Sequence, residues 1–259
     1  FIFLLYIIGC APPAKEHVDM RNSEMLDVNK NFEVVAEHVS YFGNSKGYLA
    51  KPKDQGNFPG IVMIHEWWGL NDNIKDMANK LASEGYVVLA VDLYDGKIGS
   101  DATEARELTT KVRNNISNAI LNMKSAVEFL KKQENVIKDK IASMGWCFGG
   151  QMSLQLSLNE KLTATIIYYG NLETNTSKLS AIKWPVLGIF GSKDTSIPVE
   201  TVKKFEASLN ELGISNQIHI YEGVGHAFAN PSGMNYAPEE TKDAWDKTLK
   251  FLEMNLKNS

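Results

Sequence analysis

The feature that most restricts the fold of this chain is a predicted strand-to-helix turn at 145–149, which reads Gly-Trp-Cys-Phe-Gly. The apolar run 141–144 precedes it, and a stretch with helical composition, 151–158, follows it. A residue at the apex of so sharp a turn projects its side chain away from the backbone, and glycine two positions before and after avoids collisions. The pattern predicts that Cys147 stands at the apex, at the amino end of a helix that favours its thiolate.

Two polar residues further along the chain also follow predicted strands. Asp194 comes after the apolar run 185–190, and His226 comes after the alternating stretch 217–221. Because the carboxyl ends of parallel strands meet at one edge of an α/β sheet, both side chains are expected near Cys147. Taken singly, Cys147 could be a buried thiol, Asp194 a turn former and His226 a structural histidine. Their order, nucleophile then acid then histidine, favours a nucleophilic hydrolase.

The remaining pattern predicts alternating strands and helices over one domain, 32–257. The predicted strands are 32–42, 46–51, 60–64, 86–91, 141–144, 162–169, 186–190 and 217–221. The predicted helices are 71–83, 102–133 with a break near 114–115, 151–158, 199–212 and 238–256. Such alternation is typical of a mostly parallel, doubly wound sheet flanked by helices.

Composition restricts the classes of partner. With 259 residues, 44% of them hydrophobic, the chain can bury one large core. Its 27 basic and 31 acidic residues give a net charge of −4, without a basic stripe. Nucleic acid is therefore not an expected partner.

The amino terminus carries a separate signal. Residues 1–8 are wholly apolar but too short to span a bilayer, and Gly9-Cys10-Ala11 follows them. This arrangement looks like the end of a bacterial lipoprotein signal peptide, with 1–9 as its remnant, Cys10 as the lipidated residue and 10–31 as a flexible tether. An exported lipoprotein on the periplasmic or cell-surface face of a membrane is then expected, and a cytoplasmic protein otherwise. The alternative is an apolar strand of an upstream region.

Four segments together resemble the dienelactone hydrolase family, the cysteine-using branch of the α/β-hydrolases. They are the elbow around Cys147, 64–71 (Ile-His-Glu-Trp-Trp-Gly-Leu-Asn), 91–94 (Val-Asp-Leu-Tyr) and 225–230 (Gly-His-Ala-Phe-Ala-Asn). The resemblance extends from about residue 34 to 256. It implies the α/β-hydrolase fold and a hydrolase without a cofactor that acts on a small-molecule ester or lactone. It also implies that Glu66 is a catalytic residue, which contacts the cysteine in the resting enzyme and helps to control when the thiolate forms. An exposed loop carboxylate is the alternative for Glu66.

A cysteine nucleophile requires a base and donors for an oxyanion. His226 would take the thiol proton, and Asp194 would fix the tautomer of the imidazole, so that an acyl-enzyme can form and then be hydrolysed. The backbone amides of Trp67 and Phe148 are the expected oxyanion donors. No metal site is expected, because Gly69 stands where a zinc motif beginning at His65 needs its second histidine.

The substrate is less closely defined. Candidates for substrate contact are Trp68, Arg106 and Phe228, although Trp68 could simply fill space beside the sheet and Arg106 could be a solvated helix charge. Family members that act on dienelactone hold its carboxylate with arginines, but Asn230 stands four residues after His226, where one of them is expected. Another small ester or lactone is favoured. The alternatives are a peptidase or thioesterase of the same fold, or a tethered binding protein without activity. Oligomeric state is left open.

Overall fold

The computed structural model describes residues 31–258, which are built around one eight-stranded sheet. The strands are β1 (Val34–Phe42), β2 (Ser45–Pro52), β3 (Phe58–Ile64), β4 (Val87–Val91), β5 (Val136–Trp146), β6 (Ala164–Tyr168), β7 (Val186–Gly191) and β8 (Asn216–Tyr221). The helices are α1 (Asp72–Ser83), α2 (Ala102–Asn114), α3 (Ile116–Lys131), α4 (Phe148–Ser157), α5 (Thr176–Leu179), α6 (Val199–Glu211) and α7 (Pro238–Leu252), which a π-helical turn (Glu253–Lys257) extends.

The strand order is β1-β2-β4-β3-β5-β6-β7-β8. β1 and β2 form an antiparallel hairpin, and β2 runs antiparallel to β4. All the other neighbours are parallel, so the carboxyl ends of β3 to β8 lie along one edge. This arrangement is the α/β-hydrolase fold predicted from the sequence.

Burial explains why the central strands read as continuous apolar runs. Every residue of β3, β4, β6 and β7 is buried, because helices cover both faces of the sheet. One face packs against apolar residues of α2, α3, α4 and α6, and the other against those of α1 and α7. The sheet is therefore fixed on both sides, and its loops at the carboxyl edge stand on a rigid base.

Most predicted elements are confirmed; one helix was missed, and several ends are shifted, of which β5 and the last helix differ most. β5 begins at Val136 rather than at 141. Its first half contains the polar residues 138–140 and therefore lacks the apolar run by which a buried strand is predicted. The short helix α5 was missed, since four residues are too few to show a helical period. The last helix changes from α to π geometry after Leu252. The break predicted between α2 and α3 is confirmed at Asn115.

The signal peptide predicted at 1–9, Cys10 and nearly all of the tether predicted at 10–31 lie outside the described residues, and they stay predictions. Within 31–258, no helix combines the length and the apolar character needed to cross a bilayer.

Candidate active site

Cys147 stands at a strained turn between β5 and α4. Its backbone has φ 54° and ψ −116°, a left-handed φ that is rare for residues other than glycine. A Cβ atom added to Gly145 would lie 2.2 Å from the carbonyl oxygen of Gly149, and one added to Gly149 would lie 2.3 Å from that of Ile64. Both glycines are therefore required for helix and sheet to approach this closely, as the sequence pattern predicted.

The three predicted polar side chains meet at this turn. His226 Nε2 lies 3.1 Å from Cys147 Sγ, and His226 Nδ1 lies 2.7 Å from Asp194 Oδ2. The other carboxylate oxygen, Asp194 Oδ1, accepts hydrogen bonds from the amides of Ser196 at 2.8 Å and Ile197 at 3.0 Å. The Asp194 side chain is fully buried, and the two amides and the imidazole provide the hydrogen bonds that its carboxylate needs there.

The surroundings of His226 favour its protonated form. Burial opposes the charge, but hydrogen bonds with Asp194 and with Cys147 raise the pKa of His226 to about 10. An imidazolium at this place stabilises a thiolate on Cys147. The geometry therefore suits a cysteine–histidine ion pair held by a buried aspartate.

Glu66 lies beside this group, on the loop after β3. It is only 4% exposed, so the exposed-carboxylate alternative is wrong. Its Oε2 accepts a hydrogen bond of 2.6 Å from Asn230 Nδ2. Burial raises the pKa of Glu66 to about 7, even though His226 and Asn230 both act to lower it. The carboxyl group can therefore change its charge near neutral pH.

The loop that carries Glu66 is held by His65, a residue to which the sequence analysis gave no role. His65 is fully buried, its Nδ1 lies 2.6 Å from the Glu66 carbonyl oxygen, and its Nε2 accepts a hydrogen bond of 3.2 Å from the Leu93 amide. The two contacts define a neutral imidazole that donates from Nδ1, and burial lowers its pKa accordingly. The sequence signal that could have identified His65 is its position directly after the buried strand β3.

The expected oxyanion donors are the backbone amides of Phe148, at the start of α4, and of Trp67, on the loop after β3. Phe148 is the first residue of α4, where a backbone amide has no acceptor within the helix. The Glu66 carbonyl accepts hydrogen bonds from His65 and from the Gly69 amide. Since the N–H of a trans peptide points opposite to its C=O, the Trp67 amide is directed away from these partners. Both positions suit the predicted role.

The three candidates for substrate contact have different surroundings. Trp68 is half-buried, and its ring lies 4.7 Å from that of Trp67. Phe228 is fully buried between Tyr169 and Tyr221, so its position favours a core residue over the predicted substrate contact. Arg106 is exposed on α2, which favours the solvated alternative.

A different arginine lies next to the elbow. The guanidinium carbon of Arg113 is 5.7 Å from the centre of the Phe148 ring, and its Nε donates a hydrogen bond of 3.3 Å to Gln151 Oε1 on α4. The sequence analysis missed this contact, because Arg113 and Phe148 are far apart in the chain and only the folded structure brings the two side chains together.

No group of three or more metal-binding side chains is found among residues 31–258.

The fold together with the Cys147, His226 and Asp194 geometry defines the class of the protein as an α/β-hydrolase.

Comparison with known proteins refines this class. The sequence model described as the dienelactone hydrolase family matches residues 45–256. The chain is similar to Protein usf of Aquifex pyrophilus, at 31% identity over 80% of this chain and 92% of the relative. It is equally similar, at 31% identity over 80% of this chain and 93% of the relative, to a Saccharolobus solfataricus protein provisionally named carboxymethylenebutenolidase. A crystal structure from Klebsiella pneumoniae, provisionally described as a dienelactone hydrolase, has a TM-score of 0.77 and 25% identity, covering 85% of this chain and 98% of that one.

The chain belongs to the dienelactone hydrolase family. It is an enzyme, a hydrolase of esters or lactones, and the resemblance inferred from four segments is confirmed.

Proposed function

We propose that this protein hydrolyses a small carboxylic ester or lactone, with Cys147 as nucleophile, His226 as general base and acid, and Asp194 as the group that orients His226. The observation that carries the proposal is the continuous set of contacts from Cys147 Sγ to His226 Nε2 at 3.1 Å and from His226 Nδ1 to Asp194 at 2.7 Å. Hydrogen bonding of this kind fixes the imidazole with one nitrogen facing the nucleophile.

In the first step the Cys147 thiolate attacks the carbonyl carbon of the substrate. The C–S bond forms as the carbonyl π electrons move to oxygen, where the amides of Trp67 and Phe148 stabilise the negative charge. When the carbonyl reforms, the C–O bond to the leaving alcohol breaks, and the imidazolium of His226 donates its Nε2 proton to that oxygen. For a lactone, the alcohol stays attached to the acyl chain.

In the second step water hydrolyses the thioester. His226, now neutral, accepts a proton from water, and the hydroxide attacks the acyl carbon. The C–S bond breaks as the carbonyl reforms, so the carboxylic acid leaves and the thiolate–imidazolium pair returns. Asp194 is buried, its Oδ1 accepts hydrogen bonds from two backbone amides, and its Oδ2 faces His226 Nδ1, so its side chain is held in place to stabilise the imidazolium in each step.

The substrate class follows from the family and from what this site lacks. The name carboxymethylenebutenolidase of one relative denotes the opening of a lactone. In this chain the amide of Asn230 stands where dienelactone-cleaving members are expected to have an arginine, and Arg106 is exposed. These two departures favour a small ester or lactone other than dienelactone itself.

The test is hydrolysis of short-chain p-nitrophenyl esters, a dienelactone, an acyl thioester and a p-nitroanilide by the wild-type protein and by Cys147→Ala. Cys10→Ala is the matched control, because it removes the other cysteine of the chain. Ester or lactone turnover that is lost only in Cys147→Ala, with an acyl adduct on Cys147 in mass spectrometry, supports the proposal. Preferential cleavage of the anilide or thioester would support the peptidase or thioesterase alternative, and no turnover by folded, reduced protein would support a binding role.

A further inference from the structure

A small chamber lies beside Glu66. Its volume is about 10 Å³, and the polar residues that line it are Glu66, Asn73, Tyr169 and Asn230. A site of this size accommodates about one water molecule, provided that polar partners are available. Nothing in the proposed reaction uses Tyr169 or this chamber.

Tyr169 brings an unused donor to the chamber. The residue is fully buried, and its hydroxyl has no hydrogen-bond partner of good geometry among the described residues. The Ala229 amide is close enough to affect its oxygen, but an amide can only donate, so the hydroxyl hydrogen is still without an acceptor. Leaving such a group unpaired inside a protein is costly, and an ordered water is the usual remedy.

The backbone holds Tyr169 in place at the cost of strain. Its φ is 35°, in the left-handed region that residues other than glycine rarely adopt. The Tyr169 amide donates to the Ile189 carbonyl at 2.7 Å, and the adjacent Tyr168 carbonyl accepts from the Cys147 amide at 3.0 Å. Its ring packs edge-on against His226, with centroids 5.3 Å apart. Backbone strain of this kind occurs at functional sites more often than elsewhere.

The charges around the chamber come from few groups. His226 favours the ionised form of Glu66, and the charges of Glu66 and Cys147 both act on the Tyr169 hydroxyl and raise its pKa, after burial as the largest cause. The amide of Asn230 bonds to Glu66 without a charge. The walls that come from α1 and β5 are the uncharged side chains Asn73, Ile74, Met77 and Trp146.

We infer that the chamber holds one water that bridges the Tyr169 hydroxyl to the carboxyl group of Glu66, and that Tyr169 is a positioning residue for Glu66. The hydroxyl donates to the water and the water donates to the carboxylate. Glu66 thereby has a second hydrogen bond, in addition to that from Asn230. An effect of Glu66 on turnover rests on the proposed function and on the control of the Cys147 thiolate by Glu66 that the family resemblance implies, whereas the water and the titration of Glu66 rest on neither.

The direct test is the titration of Glu66 by carbon-13 NMR of its side-chain carboxyl, assigned from the signal that Glu66→Gln removes. In wild-type protein the midpoint is expected near pH 7. In Tyr169→Phe the carboxylate loses a donor, so the midpoint is expected to rise by about one pH unit, the scale of one hydrogen bond to a charged group. The acid limb of the pH–rate profile should move with it.

Tyr168→Phe is the matched control. The Tyr168 hydroxyl is also buried, but it bonds to the Ala244 carbonyl at 3.0 Å and to Thr248 at 2.7 Å on α7. This variant should be destabilised without a change in the Glu66 midpoint. Equal midpoints in wild type and folded Tyr169→Phe would overturn the inference, even if Cys147-dependent ester hydrolysis were established.

A high-resolution crystal structure of the wild type provides a second, variant-independent test. Density for one water within hydrogen-bond distance of Tyr169 Oη and of the Glu66 carboxyl is expected. A dry chamber would overturn the inference, and this result counts even if Tyr169→Phe fails to fold.

Discussion

Asn230 Nδ2 donates a hydrogen bond of 2.6 Å to Oε2 of the buried Glu66, so a neutral amide is the direct partner of this carboxylate. An uncharged partner offsets only part of the cost of burying a negative charge. The pKa of Glu66 accordingly rises to about 7, although His226 also favours its ionised form. Glu66 is thus placed to titrate beside the Cys147–His226 pair.

This raised pKa predicts how stability depends on pH. Between pH 4.5, the ordinary pKa of the group, and about 7, the folded protein binds more protons at Glu66 than the unfolded chain does. The contribution of Glu66 to the free energy of unfolding therefore falls as the pH rises through this window. Glu66→Gln removes this dependence. The free energy of unfolding of the variant, relative to that of the wild type, should therefore increase by up to about 3 kcal/mol from the lower to the upper end of the window. Urea unfolding at several pH values measures this difference, and a constant gap between the two proteins would contradict it.

The exposed glutamate Glu239, in the first turn of α7, offers the matched control. Glu239→Gln makes the same chemical change on the surface, where no comparable dependence on pH is expected.

Asp194 should govern the charge state of His226. Its hydrogen bond is, after the opposing effect of burial, the largest cause of the raised pKa of His226. Asp194→Asn should therefore lower that pKa, reduce the thiolate–imidazolium population and decrease kcat/KM by a factor of about 10³ or more. The pKa of His226, measured by NMR of its imidazole in wild type and variant, reports the change without any substrate. An unaltered pKa would show that Asp194 does not orient or charge His226.

The sequence predicted those parts of the site that depend on local rules. The turn at Cys147 could be predicted because glycine is required where a Cβ would collide. The positions of Asp194 and His226 could be predicted because the carboxyl ends of parallel strands meet at one edge of the sheet. Contacts set by long-range packing could not be predicted. The Arg113 side chain reaches Phe148 from a separate helix, and Tyr169 and Glu66, which are far apart in the chain, line one chamber.

Phe228 shows how a residue can be misjudged next to a correct motif. It lies two positions after His226, and a loop aromatic there is a natural candidate for the substrate pocket. The chain turns inward at Ala227, whose φ is 59°, and Phe228 then packs between Tyr169 and Tyr221. Only the three-dimensional path of the loop reveals this burial.

The elbow glycines predict a selective loss of stability. In Gly149→Ala the new Cβ would lie 2.3 Å from the Ile64 carbonyl and 2.5 Å from the His65 carbonyl, both backbone atoms that cannot move aside cheaply. We expect the free energy of unfolding to fall by about 2–4 kcal/mol and Cys147 to be displaced. Gly233→Ala is the control, because its nearest atom would be the Asn230 carbonyl oxygen at 3.4 Å, an ordinary contact. Equal denaturation midpoints for the two variants would show that the elbow tolerates a larger residue.

Arg113 predicts a preference among substrates. Its guanidinium carbon lies 5.7 Å from the centre of the Phe148 ring, and Phe148 is the residue whose backbone amide is expected to bind the oxyanion. The positive charge of Arg113 can therefore attract an acidic group on the substrate. Because Arg113 is exposed, the effect should be modest and should weaken with salt. Arg113→Gln is expected to raise KM for an ester with a free carboxylate by about threefold to tenfold and to leave KM for its methyl ester nearly unchanged. Arg106→Gln, a matched change at an exposed position on the same helix, should alter neither value. If both variants changed the two KM values alike, the specific role of Arg113 would be ruled out.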